Sequence, residues 1–357
     1  MKKIYARRRR ALAEWLDRNA LPALLVSHPA NRFYLSGFEL HDPQCNESSG
    51  YLVVTPKAEA YLFTDPRYQE AAFEALGQDN VCIYQADRYR DIAAFLESKG
   101  VMRAAFEARS IPYFTWKQLA GHLSLEPSSG AVERLRVVKD EQELFRMRAS
   151  CRVNHAVFAE LERRLPEMVG LTERQAAWEI EKMFRNRGAS ELAFTSIVGV
   201  GANGAKPHAE LSDEKIREGD TLLVDIGGRY QGYCSDQTRT FWVGDAPSTR
   251  FKETLELVQE AQRRGIEKVG PGVPAREVHR AAHEVFAKSG VAQMFTHGLG
   301  HGVGLETHEA PSLNSGSETV LEPGMIVTVE PGLYDPQWSG VRWEHMVCVT
   351  EDGAEVL

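Results

Sequence analysis

Two aspartates placed inside otherwise apolar strand-like runs constrain this chain more than any other feature. In LLVDIGGRYQGYCSDQTRTFWV (222–243) two such runs flank a glycine-rich turn, the pattern of a β-hairpin. A turn centred on Tyr230–Gln231 would set Asp225 directly opposite Asp236, with Cβ atoms about 5 Å apart on one face. Like charges there repel, and Asp is a poor strand former. A divalent cation bridging both carboxylates is the simplest compensation; two aspartates on an open, solvated sheet face are the alternative.

The histidines are skewed in the same direction. Seven of the eleven lie between His208 and His345. Three of them, His297, His301 and His308, fall within HGLGHGVGLETHEAP (297–311), among four glycines that let a backbone approach a site closely. The spacing is not that of a helical HExxH zinc motif, since the glycines would break the helix. Two more carboxylates border apolar strands, Glu330 in MIVTVEPGLY and Glu344 in GVRWEHMVCV. Burying an acid there is costly unless it is paired or metal-bound, although either could stand at a sheet edge. Asp225, Asp236, His301, Glu330 and Glu344 together supply four carboxylates and an imidazole, enough for two metal ions about 3.5–4 Å apart sharing a nucleophilic water.

Other matches are weaker. GVGANG (199–204) fits GxGxxG after a strand, but Lys206–Pro207 follows where a nucleotide-binding fold needs a helix. His279 and His283 are spaced i, i+4 in VHRAAHEVF, yet Arg280 stands where HExxH needs Glu, and exposed helix surface is the expectation. No G-x-S-x-G elbow and no recognisable cysteine nucleophile motif is present.

The rest of the chain sets the frame. Its 357 residues predict two domains. The first third alternates strand-like runs (23–27, 51–55, 60–65, 81–84) with helical patterns (66–77, 88–100), an α/β grammar. SLEPSSG (124–130) has the composition of a linker, which divides the chain into 1–130 and 131–357. Beyond it, helical patterns at 139–165, 172–188, 250–270 and 274–290 alternate with turn-linked strands, predicting an α+β domain with a largely antiparallel sheet.

A net charge of −8, from 42 basic and 50 acidic residues, argues against nucleic acid as a partner. No apolar run approaches the roughly 18 residues of a membrane span. The basic MKKIYARRRR is followed by charges where a signal peptide needs apolar residues, so an amphipathic helix carrying Tyr5, Leu12, Trp15 and Leu16 is expected. Five scattered cysteines (Cys45, Cys82, Cys151, Cys234, Cys348) without a CxxC pair fit reduced, mostly buried thiols and a cytoplasmic location.

The order Asp, Asp, His, Glu, Glu with these flanks resembles the pita-bread metallopeptidases: prolidases and aminopeptidases P, related to methionine aminopeptidase and creatinase. SHPANRFYLSGF (27–38) and FTDPRYQEAA (63–72) resemble that family's N-terminal creatinase-type α/β domain, and LRVVKDEQELFRMRASC (135–151) its linker and first catalytic-domain helix. The resemblance implies a pita-bread catalytic domain that cleaves Xaa–Pro bonds with two divalent metal ions, Mn²⁺ first and Zn²⁺ or Co²⁺ as options. It implies that Asp225 chelates one ion, that Asp236 and Glu344 bridge both, and that His301 and Glu330 hold the second. Glu330 would also be the general base. His308 would stabilise the tetrahedral intermediate, His208 would stand near the substrate proline, and His297, Arg342 and Tyr334 would orient the ligands. A homodimer is implied as well. Two departures bear on this: His345 stands where many relatives have an acid, and Ser312 stands where prolidases commonly carry an Arg for a dipeptide's carboxylate. Ser312 therefore favours an aminopeptidase-P-like preference for longer peptides, with a prolidase as the alternative. A metal-free creatinase-like amidinohydrolase and an inactive binding module are the readings from other classes; both should have lost metal ligands.

Overall fold

The computed structural model describes residues 2–44 and 47–357, so the expectation for Cys45 lies outside the described residues. The chain divides into two compact units, residues 1–136 and 137–357.

The first unit is built on a six-stranded mixed sheet in the order Val81–Ile83, Ala60–Thr64, Tyr51–Val54, Leu24–Val26, Arg103–Glu107, Ser124–Ser128. All four expected strands are present, and an amphipathic helix spans Lys2–Arg18, with Leu12 and Leu16 fully buried. The SLEPSSG segment is not a linker. Ser124–Ser128 pairs in parallel with Arg103–Glu107 as the edge strand, and the edge is where Pro127, lacking an N–H, costs least. The buried carboxylate of Glu107 accepts the backbone N–H groups of Ser27 (2.7 Å) and His28 (2.6 Å) at the start of the Pro29–Ser36 helix. Asn31 Nδ2 donates to it at 2.7 Å, so one acid satisfies the helix entry and ties it to the neighbouring strand.

The second unit is α+β, and all its strand pairs are antiparallel. The Glu141–Arg163 and Glu173–Asn186 helices both begin with capping boxes, Asp140 with Glu143 and Thr172 with Gln175. Their apolar faces (Val157, Ile180, Phe184) bury against Val198 and Val224 of a three-stranded sheet. The Thr249–Lys268 and Ala275–Lys288 helices pack Val258, Ala261 and Phe286 against Val329 and Val347 of a five-stranded sheet.

The aspartate hairpin forms with a different register from the one expected. Asp225 pairs with Thr238, and Arg229 with Cys234, which moves the two-residue turn to Gln231–Gly232. Both turn residues have positive φ (50° and 88°), the geometry that matches the twist of a tight hairpin and that glycine adopts freely. Asp236 is consequently diagonal to Asp225 rather than opposite it. The slip amounts to two residues on one strand, so both side chains stay on the same face.

The 297–311 segment also differs from a simple loop. Gly300–Gly302 is a short strand between Glu309–Leu313 and Ile326–Val329. A Cβ at Gly300 would lie 2.0 Å from the Thr328 carbonyl oxygen, and one at Gly302 would lie 2.1 Å from that of Ala310. The glycines on either side of His301 let neighbouring backbones close in and fix where its ring emerges.

Candidate metal centre

Asp225 (strand Thr221–Ile226), Asp236 (just before strand Gln237–Trp242) and Glu344 (before strand His345–Thr350) converge from three segments. One carboxylate oxygen from each lies within 4.8 Å of the other two, and all three residues are buried. Such a cluster is unfavourable by itself. Burial raises the Asp236 and Glu344 carboxyls well above the usual carboxylate range, and the charges of neighbouring acids push them further the same way. Burial raises Asp225 too, against the pull of Arg342. Asp225 Oδ1 and Glu344 Oε1 are buried without a hydrogen-bond partner. Buried acceptors crowded together and short of donors are what a divalent cation satisfies.

His301 and Glu330 extend the cluster. His301 Nε2 lies 3.3 Å from Glu330 Oε1 and 3.7 Å from Asp236 Oδ2. Its Nδ1 is 3.1 Å from the Gly302 carbonyl oxygen, which can only accept, so Nδ1 carries a proton. Nε2 then faces two carboxylates and requires either a proton or a cation between them. Burial disfavours the imidazolium, yet the hydrogen bond and charge of Glu330 outweigh it and raise the His301 pKa. Burial likewise works against an ionised Glu330, but His301, with His297 and Arg342 behind it, holds that carboxyl at about 2. The donor set of four carboxylates and one imidazole, with its unsatisfied oxygens, fits a pair of divalent ions.

Behind the acids runs a chain of donors. Arg342 Nη2 donates to Asp225 Oδ2 (2.7 Å), Nε to Thr238 Oγ1 (2.9 Å), and Nη1 to the Tyr334 hydroxyl (2.8 Å) and the Pro207 carbonyl (3.2 Å). His297 Nδ1 donates to the Gly298 carbonyl at 2.7 Å, so its Nε2 accepts the Tyr334 O–H at 2.8 Å. Burial lowers the His297 pKa and lifts that of Tyr334 to about 12, which keeps both neutral as this pattern requires. Thr238, absent from the expected residues, is a junction: its hydroxyl receives Arg342 and donates to Glu344 Oε2 at 2.7 Å. A hydroxyl directly across the strand from Asp225 is a visible signal only once the register is known.

The acids, His297, His301 and Arg342 line a cavity of about 920 Å³. His208, which is exposed, and His308 reach its wall; the His308 ring lies 4.1 Å, centroid to centroid, from that of His301. Every expected site residue except Tyr334 lines the cavity, and Tyr334 sits behind it bonded to Arg342. His345 stands outside. Its Nδ1 donates to Gln262 Oε1 (3.2 Å) and its Nε2 accepts from Arg239 Nη2 (2.8 Å), while burial takes its pKa down to about 3. Arg239 also donates to the Glu344 carbonyl, so His345 braces the backbone of Glu344. GVGANG serves packing: a Cβ at Gly199 would lie 2.7 Å from Gly204 Cα. His279 and His283 are half-buried and stacked at 5.9 Å, with His279 also against Phe295, so their helix face is less exposed than expected. Among the described residues no helix is long and apolar enough to cross a membrane.

The comparisons with known proteins agree with this geometry. The sequence model of metallopeptidase family M24 matches residues 146–351, and that of the creatinase/prolidase N-terminal domain matches residues 8–138. The chain is 33% identical to a Xaa-Pro dipeptidase of Pyrococcus horikoshii over 97% of this chain and 95% of the relative. It is 39% identical to a probable dipeptidase, PepE, of Mycobacterium bovis over 85% and 81%. A solved Xaa-Pro dipeptidase from Bacillus anthracis superposes with a TM-score of 0.90 at 32% identity, covering 98% of this chain and 97% of that one.

Proposed function

This chain belongs to metallopeptidase family M24, with a creatinase-type N-terminal domain, and from that premise we propose that it is an Xaa–Pro dipeptidase. The observation that carries the reading is the convergence of Asp225, Asp236 and Glu344 beside the His301–Glu330 pair at a cavity wide enough for a short peptide. Asp225, Asp236, His301, Glu330 and Glu344 would hold two divalent ions, Mn²⁺ by the preponderance of carboxylates. When bound, the ions supply Lewis acidity and a water of lowered pKa.

The protein's own groups do the rest. Glu330, ionised at neutral pH, receives the proton of the attacking water and returns it to the leaving proline nitrogen. His308 offers a donor to the oxyanion as it forms, and His208 positions the proline side of the substrate from the cavity wall. The His297–Tyr334–Arg342 chain keeps Asp225 in one orientation, so the acids do not reorganise during the reaction.

What favours a dipeptide over a longer peptide is the naming of the relatives as dipeptidases. The aminopeptidase-P-like preference is the second reading, and it rests on uncharged Ser312, which lines the cavity. A metal-free amidinohydrolase or an inactive binding module fits poorly with five ligand-type residues kept together. The experiment is metal analysis of the purified protein joined to hydrolysis of Xaa–Pro and Xaa–Pro–Yaa, with and without chelator. Chelator-sensitive cleavage of the dipeptide supports the reading; metal-independent activity, or at least tenfold preference for the tripeptide, overturns it. The homodimer implied by the resemblance is checked by light scattering of the active protein.

A further inference from the structure

A dipeptide substrate carries its own carboxylate just past the scissile bond, and Ser312 offers that charge only a neutral hydroxyl. Of the five carboxylates that line the cavity, Asp225, Asp236, Glu330 and Glu344 would be taken up by the metal ions, which leaves the charge of Glu210 on the wall. An anion entering there needs a cation, and the best match is a guanidinium presenting two N–H groups in one plane. Among the described residues the lining holds two side chains of permanent positive charge, Arg174 and Arg342. Arg342 is committed. It is 2% exposed, and four of its five N–H groups go to Asp225, Thr238, Tyr334 and Pro207.

Arg174 is in the opposite condition. Its side chain is 60% exposed, and its ion pair with Asp213 (3.3 Å) involves a carboxylate 86% exposed. A pair so open to water holds its members weakly, so one carboxylate can replace another at little cost. The position is also defined. Arg174 is in the first turn of the Glu173–Asn186 helix, and its backbone N–H reaches the Ser212 carbonyl. The preceding residue, fully buried Glu173, accepts from Val200 N, Asn203 Nδ2 and Ser212 N, each at 2.8 Å. Those bonds tie both ends of the 200–212 segment, which brings Pro207 and His208 to the cavity, to the helix turn that carries Arg174.

Resting on the dipeptidase reading, we propose that Arg174 receives the C-terminal carboxylate of the substrate, exchanging Asp213 for it, and so supplies the selectivity for a free carboxylate that Ser312 cannot. The test uses the metal-loaded full-length enzyme and compares Xaa–Pro with its C-terminal amide, Xaa–Pro–NH₂, which lacks the charge. Arg174→Gln should lower the ratio of kcat/KM for the acid to that for the amide roughly 10- to 100-fold, through KM for the acid. Arg174→Lys should restore part of the ratio, and Asp213→Asn should leave it equal to or above that of the wild type. If the wild type prefers the acid and Arg174→Gln leaves the ratio unmoved, this inference falls while the dipeptidase reading stands. If the wild type cleaves Xaa–Pro–Yaa but leaves Xaa–Pro intact, the dipeptidase reading falls and takes this inference with it.

Discussion

Arg342 and Asp225 meet at 2.7 Å in a pair whose side chains are 2% and 12% exposed. The same guanidinium also donates to Thr238 Oγ1, the Tyr334 hydroxyl and the Pro207 carbonyl. It does two jobs: it compensates one buried acid and it holds one oxygen of that acid in place while Oδ1 stays without a hydrogen-bond partner.

Arg342→Ala removes both. An uncompensated buried charge should cost about 3–5 kcal/mol of stability. The freed Asp225 and Thr238 should weaken metal binding by about 10- to 100-fold. Arg342→Lys should recover little, because an ammonium cannot reproduce the planar fork that serves four acceptors. Urea unfolding of the chelated protein and a metal titration measure the two effects separately, and an unchanged unfolding midpoint for the Ala variant would contradict the first.

Asp236 carries the opposite expectation, since acids outweigh His301 among its neighbours. Without metal, Glu344 and Asp225 repel its charge, and burial adds to the penalty. Asp236→Asn keeps the shape and removes the charge, so the chelated variant should be as stable as the chelated wild type or more so. With metal the sign should reverse, because one of the proposed metal ligands is gone. Activity should fall by more than about a hundredfold, and the rise in Tm on adding Mn²⁺ should shrink. Thermal melts with chelator and then with excess Mn²⁺ give both comparisons; a chelated variant several degrees less stable than the wild type would show that Asp236 is not repelled there.

Much of this site is legible in the chain because strand residues with the wrong chemistry stand out. An Asp in LLVDIG or a Glu in MIVTVE has no propensity reason to be there, and both point into the cavity. The register was not legible. A turn centred one residue earlier keeps both aspartates on the same face, so the hydrophobic pattern does not separate the two; the pairing of Asp225 with Thr238 and the positive φ of Gln231 and Gly232 do. His301 on a strand was hidden because glycine spacing reads as loop, although here the glycines make room for carbonyls of adjacent strands. The 124–128 strand was hidden for a related reason: Pro and Ser are loop residues by propensity, yet tolerated at a sheet edge. Thr238, Arg174 and Glu173 act through partners distant in sequence, and single-residue chemistry does not announce them.

The cysteines give a test independent of activity. Burial pushes the Cys151 thiol up to about 12 and Cys234 up to about 11, and both side chains are enclosed. Raised pKa means less thiolate at a given pH, and the thiolate is the reacting form. Cys82 is raised in the same direction but half-exposed. A short iodoacetamide pulse near pH 8, mapped by mass spectrometry, should modify Cys82 ahead of Cys151 and Cys234. The latter two should react only after denaturation. Rapid native labelling of Cys151 would mean that the packing around it, against Met346 Sδ at 3.5 Å, opens readily.

Glu173 offers a way to disturb the substrate wall without touching the acids of the metal centre. Its two oxygens take three donors, Oε1 that of Val200 and Oε2 those of Asn203 and Ser212. Glutamine has one acceptor oxygen, so Glu173→Gln must turn an NH₂ toward at least one N–H donor. A buried donor left without an acceptor costs about 1–3 kcal/mol, and the variant should unfold at correspondingly lower urea. The 200–212 segment would then be held at fewer points, and with it Pro207 and His208. KM for Xaa–Pro should rise more than kcat falls, because the groups that move are those that hold the substrate rather than those that receive its proton. Metal content should stay that of the wild type. Denaturation, metal analysis and steady-state kinetics on one preparation separate these effects. A variant that loses metal and kcat together, with KM unchanged, would show that Glu173 supports the acids themselves and not the wall.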